Sequence, residues 1–272
     1  MTATAPDRTA ALPDEGRPRL RWWREVGYAL GFYLVYSAIR NQFGSSTVSP
    51  REAFDNAVLI IDLQRELGLF VELDIQRAFL DHEWFIRALN IFYGSLHFVA
   101  TAGVMIYLYR RHPLHYSRWR SVLAWTTGLA LIGFALFPLM PPRLMNAGGT
   151  WGWTSPEFDF VDTLVEVGGL WSFSSDGMQS ISNQYAAMPS LHIGWALWCV
   201  AALWVVTPHR ATRWLLLLYP TLTLFAIVVT GNHFILDAVG GALVLAVGYV
   251  AAIGWRRYVS PELASLRLRL RS

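Results

Sequence analysis

Residues 230–255 read TGNHFILDAVGGALVLAVGYVAAIGW, and positions 238–255 within them carry no charged side chain. A helix that crosses a bilayer needs about 20 mostly apolar residues, since each adds about 1.5 Å and the hydrocarbon layer is about 30 Å thick. Working outward from this stretch, the runs at 88–109, 121–140, 185–206 and 214–230 meet the same test. A sixth run, 26–39, is cut short by Arg40, but Trp22 and Trp23 on one side and the uncharged stretch 41–49 on the other extend it. The expectation is an all-α polytopic membrane protein with six transmembrane helices.

Composition agrees: the chain has 272 residues, of which 54% are hydrophobic and only 15% charged. The basic residues are all Arg and the formal charge is a modest +3, so their clustering speaks for topology rather than for nucleic acid. Arg17, Arg19, Arg21 and Arg24 precede the first run; Arg110, Arg111, Arg118 and Arg120 separate the second from the third. Arg210 and Arg213 lie between the fourth and fifth, and Arg256, Arg257, Arg267, Arg269 and Arg271 follow the sixth. All of these are expected on the cytoplasmic side. Segment 141–187 has Arg143 as its one basic residue against Glu157, Asp159, Asp162, Glu166 and Asp176, and is expected outside.

The organisation that follows is a disordered cytoplasmic tail at 1–21, a six-helix membrane catalytic domain at 22–257 and a basic cytoplasmic tail at 258–272. The first segment mixes Pro, Thr, Ala, Asp and Arg and lacks the apolar core of a signal peptide. Between the first two runs, Phe54, Val58, Ile61 and Leu67 recur at helical spacing among charges, which predicts an outer interfacial helical segment over 51–80. Trp151, Trp153, Phe158, Phe160 and Trp171 read as interfacial anchors or as a lid over a lipid opening. The lone cysteine, Cys199, provides no disulfide and no cysteine-rich metal site. No repeat at a fixed period supports a transporter built from two halves.

Ionisable residues at the ends of apolar spans are costly, and two stretches concentrate them. In Ala187-Met188-Pro189-Ser190-Leu191-His192, proline suits the first turn of a helix and would leave backbone N–H groups free at a helix start, a ready anion site. His192 then lies about one turn inside that end. In Thr230-Gly231-Asn232-His233-Phe234-Ile235-Leu236-Asp237, His233 and Asp237 are four apart, so on one helix the carboxylate can orient the imidazole and leave its other nitrogen as base or nucleophile. The Arg-derived topology brings both histidines to the same membrane depth. Arg143, in Pro141-Pro142-Arg143, reaches that depth and could hold phosphate oxygens in a bidentate fashion. Asn90, Tyr93 and His97 line one face of the second run, either to contact a headgroup or to bond neighbouring helices.

The stretches Met188-Pro189-Ser190-Leu191-His192 and Thr230 to Asp237 resemble the second and third signatures of the type 2 phosphatidic acid phosphatase superfamily. They look closest to its inositol phosphorylceramide synthase-like branch, and the resemblance extends over about residues 89–255. It implies a metal-independent, two-step transfer without a cofactor, at the extracytoplasmic face of the cell membrane, on a phospholipid or other lipid-linked phosphate. His233 would attack phosphorus, Asp237 would orient it and His192 would protonate the leaving oxygen. Arg143 and the helix start at Ser190 would offset charge on the phosphoryl oxygens, with Asn232, Tyr93 and His97 as further substrate contacts. Water or an alcohol would then take the phosphoryl group.

This chain departs from the broader superfamily in several places. Leu136 stands where a Lys is usual, Leu144 follows Arg143, Leu191 replaces a Gly and Ala226-Ile227 replace Ser-Arg. Two phosphate-binding cations are therefore missing, which favours a phosphodiester over a dianionic monoester. Three rivals stand beside this reading. One is a hydrolase in which His192, His233 and Asp237 hold a metal ion. The second is a serine protease using Ser190, and the third a transporter with a His and Asp proton relay.

Overall fold

The computed structural model describes residues 20–43, 48–169 and 183–259. Nearly all of the expected tails at 1–21 and 258–272 lies outside the described residues, as do Trp171 and Asp176. The helices are α1 (Trp22–Phe43), α2 (Pro50–Glu66), α3 (Glu72–Phe79), α4 (Glu83–Arg111), α5 (Pro113–Leu136) and the single turn α6 (Thr163–Glu166). They continue with α7 (Leu191–Trp204), α8 (Arg210–Leu216), α9 (Leu218–Val229) and α10 (Ile235–Gly254). Among the described residues the only β pairing is one isolated bridge, Leu139 with Ala186.

Among the described residues four stretches are long and apolar enough to cross a membrane: Glu83–Arg111, Pro113–Leu136, Arg210–Val229 and Ile235–Tyr258. They correspond to four of the six expected spans, and the other two differ. α1 has the length, at 22 residues, but Arg24, Glu25 and Arg40 keep its mean hydropathy below theirs. α7 has only 14 residues, about 21 Å of helix. The residues expected to open it, 185–190, are not helical. Ser190 has extended φ/ψ of −66° and 108°, and its hydroxyl accepts from Ile193 N, which makes it the N-cap. Pro189 therefore stands outside the helix and not in its first turn.

α7 is packed by α4, α5, α9 and α10, and small residues let the backbones close up. A β-carbon on Gly194 would lie 3.3 Å from Gly241 O, and one on Gly248 would meet Thr126 Oγ1 at 2.7 Å and Thr126 N at 2.8 Å. Trp198 Nε1 donates to Trp119 O at 2.9 Å, and Trp195 Nε1 donates to Thr127 Oγ1 at 3.0 Å, joining α7 to α5. α1 is tied to α5 by Glu25, which pairs with Arg120 and accepts from the Tyr116 hydroxyl at 3.0 Å.

The helical segment expected at 51–80 is present as α2 and α3, separated by a turn in which Gly68 has φ of 67°. Its role is more than interfacial, because Ala53, Ala57, Ile60, Ile61 and Gln64 form a buried face on α2 that packs on Leu139, Met140, Phe158 and Phe160. Phe158 and Phe160 are only 2% exposed, and Trp153 stacks on Phe54 with ring centres 5.3 Å apart. These aromatics pack into a core with α2. The chain after α5 is pinned beneath this layer by Leu139 N to Tyr185 O at 2.8 Å, Met140 N to Ala53 O at 3.0 Å and Arg143 N to Gly231 O at 2.7 Å.

The contact between α10 and α5 gives the first prediction. Gly248→Val is expected to overpack against Thr126 and cost about 1–3 kcal/mol, read as a lower unfolding midpoint of the purified protein in detergent, whereas Gly128→Ala, with open space around its α-carbon, should leave the midpoint nearly unchanged.

Candidate active site

The site forms where the chain leaves α9, turns and starts α10. Asn232 N and His233 N both reach back to Ile227 O, at 2.9 and 3.2 Å. Gly231 makes the turn with φ of 66°, and a β-carbon there would lie 2.6 Å from Gln76 Nε2 and 3.3 Å from Arg143 Cβ. Only glycine serves both needs. Phe234 is the N-cap of α10, so Asp237 is the third residue of the helix and His233 precedes it.

His233 and Asp237 thus do not share a helix face as their spacing suggested; they meet through capping. Asp237 Oδ2 accepts from Phe234 N at 2.8 Å and lies 3.3 Å from His233 Nδ1, which also lies 2.9 Å from Ala187 O. A carbonyl and a carboxylate can only accept, so Nδ1 carries the proton and the lone pair of the neutral ring is on Nε2. Nε2 faces His192 Nδ1 at 3.3 Å. His233 is 3% exposed and Asp237 is fully buried.

His192, on the first turn of α7, stacks on Tyr93 with ring centres 4.2 Å apart and meets His97 edge-on at 4.3 Å. His97 Nδ1 donates to Tyr93 O at 2.9 Å, a bond within α4 that fixes the His97 ring on its own helix. Tyr93, His97 and His192 line a narrow crevice with Phe92 of α4 and Tyr219 and Thr223 of α9.

The two helix starts differ. At α10 the Ile235 N–H goes to Glu72 Oε1 at 2.8 Å and the Leu236 N–H to Gln64 Oε1 at 3.0 Å. At α7 the Ile193 N–H goes to Ser190 Oγ and the Gly194 N–H to Ser190 O, while those of Leu191 and His192 have no partner among the described residues. Ser190 itself is buried and donates its N–H to Asp237 O at 2.9 Å. Its hydroxyl is engaged as a cap.

Arg143 comes to the same turn, 8% exposed, with its guanidinium shared among Asn232 Oδ1 at 3.1 Å, Asp162 Oδ2 at 2.8 Å and Gln184 Oε1 at 2.8 Å. Asn232 also donates to Thr230 Oγ1 at 2.7 Å, so Asn232 faces Arg143 and not open space. Asn90 is a staple: its Nδ2 donates to Thr163 O and Gly168 O, both at 2.9 Å, and fixes the outer segment to α4.

Sequence reasoning missed Asp162 as the partner of Arg143, and it missed Gln64, Glu72 and Gln76, three fully buried polar residues of the outer helices. Gln64 alone had a local signal, since it falls on the apolar face of α2 with Ala57, Ile60 and Ile61. The other partners lie too far along the chain for any spacing rule to find them.

Among the described residues no three His, Cys, Asp or Glu side chains are grouped to hold a metal ion. Asp237 stands behind His233, bonded to its Nδ1–H, and therefore does not converge with Nε2 and His192 on a shared point.

The family model described as PAP2 superfamily matches residues 58–251. No curated protein and no solved structure matches.

The buried pair yields a prediction. Arg143→Ala would leave Asp162 without its cation and is expected to cost about 3–5 kcal/mol; adding Asp162→Asn should restore part of that loss, as thermal unfolding of the four proteins in a double-mutant cycle would show.

Proposed function

The chain belongs to the PAP2 superfamily, and membership supports a lipid phosphatase or phosphotransferase type of activity; from that premise we propose that it moves a lipid-linked phosphodiester headgroup through a phosphohistidine on His233. The observation that carries this reading is the alignment of His233: its Nδ1–H is held by two acceptors while its Nε2 lone pair faces His192.

The chemistry runs in two balanced steps. As Nε2 of His233 bonds to phosphorus, the bond from phosphorus to the leaving oxygen breaks, and a proton on the His192 ring passes to that oxygen. Positive charge that develops on His233 is offset by Asp237 Oδ2 behind Nδ1. In the second step water or an alcohol gives a proton to His192 and attacks phosphorus, and the bond from Nε2 to phosphorus breaks. With the facing ring nitrogens 3.3 Å apart, His192 turns away from His233 to admit the phosphorus, and the N–H groups of Leu191 and His192 then face its oxygens.

Charge favours the diester. Among the described residues Arg143 is the cation drawn into the turn, and Asp162 already offsets it. A dianionic monoester would meet little net positive charge, whereas a phosphodiester brings a single negative charge. An inositolphosphotransferase-like reaction fits this balance, with an alcohol as acceptor; a lipid phosphate phosphatase is the same site with water as acceptor. The Arg distribution supports an active site at the extracytoplasmic face as part of this proposal.

Purified protein in detergent with EDTA, given radiolabelled phosphatidylinositol or phosphatidic acid with and without an added alcohol, provides the test. Wild type should form labelled product, His233→Ala should form none, and His192→Ala should be slower by about 10²–10⁴-fold. Product formation by His233→Ala at the wild-type rate, or activity lost to EDTA and restored by zinc, would sink the phosphohistidine mechanism.

A further inference from the structure

Glu72 and Gln64 form a closed clamp on the first turn of the helix that carries Asp237. Glu72 Oε1 accepts from Ile235 N at 2.8 Å and from Gln64 Nε2 at 2.6 Å, and Gln64 Oε1 accepts from Leu236 N at 3.0 Å. The other carboxylate oxygen, Oε2, accepts from Val71 N at 3.0 Å, so one side chain closes the starts of both α3 and α10. Both clamp residues are fully buried. A buried carboxylate that serves only local structure is unusual, because taking its charge out of water is costly unless the partners are well placed.

The geometry gives this charge a purpose. Phe234 N, Ile235 N and Leu236 N are consecutive donors, taken by Asp237, Glu72 and Gln64 in turn. Asp237 holds the first of them with the same Oδ2 that lies 3.3 Å from His233 Nδ1, and its Oδ1 has no partner among the described residues. Ile235 N and Leu236 N thus take their acceptors from α2 and α3 and not from α10 itself. If the clamp opened, Ile235 N and Leu236 N would seek other acceptors, and Asp237, on the same helical turn, has one oxygen without a partner among the described residues. Its hold on His233 would weaken.

We propose that Glu72, acting with Gln64, is a positioning residue of the active site: it occupies the N–H groups of α10 so that Asp237 remains committed to His233. The outer helices α2 and α3 thereby act on the histidine through hydrogen bonds and not merely as cover. The kinetic part of this inference rests on His233 being the nucleophile; the geometric part does not.

The experiment compares wild type, Glu72→Ala, Glu72→Gln and Ser49→Ala in detergent, with ¹⁵N-labelled histidine. Ser49→Ala is the control for damage to the same outer layer, since it removes the cap that accepts from Glu52 N at 3.1 Å far from the clamp. The Nδ1–H proton resonance of His233, identified by its loss in His233→Asn, reports the bonds to Ala187 and Asp237 whether or not a substrate is known. In Glu72→Ala that resonance should move or broaden, and kcat should fall by about a hundredfold with KM within about twofold of wild type. Glu72→Gln, which keeps an acceptor of the same size, should recover part of both, and it carries the test alone if Glu72→Ala does not fold. Ser49→Ala should alter neither. An unchanged His233 resonance in folded Glu72→Gln and Glu72→Ala, or the same change in Ser49→Ala, overturns the proposal. If wild type turns over no donor, the resonance still decides it, so loss of the phosphotransfer reading is told apart from loss of this one.

Discussion

A helix that begins inside an apolar protein brings N–H groups that need acceptors, and each one left unpaired costs about 1–3 kcal/mol. Two helices begin side by side here, and they meet this need in opposite ways. α10 is closed by the chain's own side chains, Asp237, Glu72 and Gln64. α7 is closed only in part, by Ser190, and two of its N–H groups have no partner among the described residues. The difference gives the site a direction: a protein carboxylate stands behind His233, and the two N–H groups of Leu191 and His192 stand on the side of His192.

The same constraint governs the chain beyond α5. The described segment 137–169 runs between α2 and the turn at Gly231, and its backbone finds partners in Ala53 O, Tyr185 O and Gly231 O. Arg143 and Asp162 are buried together at its centre, with Gln184 and Asn232 taking up further donors. A cation held in this way stays where the fold puts it, and it changes the local charge less than a free guanidinium would.

Much of this was legible from residue order alone. The apolar runs at 88–109 and 238–255 are helices because their composition leaves no other solution in a lipid-like environment, and α4 and α10 confirm them. The two histidines were expected at one membrane depth, and the fold brings their facing nitrogens to 3.3 Å. What failed was local geometry. A spacing of four suggested that His233 and Asp237 share a helix, but the turn at Gly231 and the extended Phe234 put the histidine before the helix, where capping brings the carboxylate to it. The run at 185–206 looked continuous because hydropathy does not register that Ser190 can cap and Pro189 cannot donate. Arg143 looked available because the acidic residue that claims it, Asp162, stands 19 positions away across an irregular segment. Hydrophobic pattern reports on environment; it says little about which polar atom completes which other.

The short α7 has a consequence for the bilayer itself. With 14 residues it is about 21 Å long, while a typical hydrocarbon layer is about 30 Å thick. If residues 183–190 make up the shortfall, their irregular backbone needs protein cover at that depth, and Tyr185, Ala187 and Ser190 are buried. His192 would then lie below the level at which lipid phosphates normally rest. A lipid could reach it only by sinking out of the headgroup plane or by the leaflet dimpling around the protein, so hydrophobic mismatch becomes part of substrate access. Membrane thickness, and not only headgroup chemistry, would then govern how often a lipid arrives.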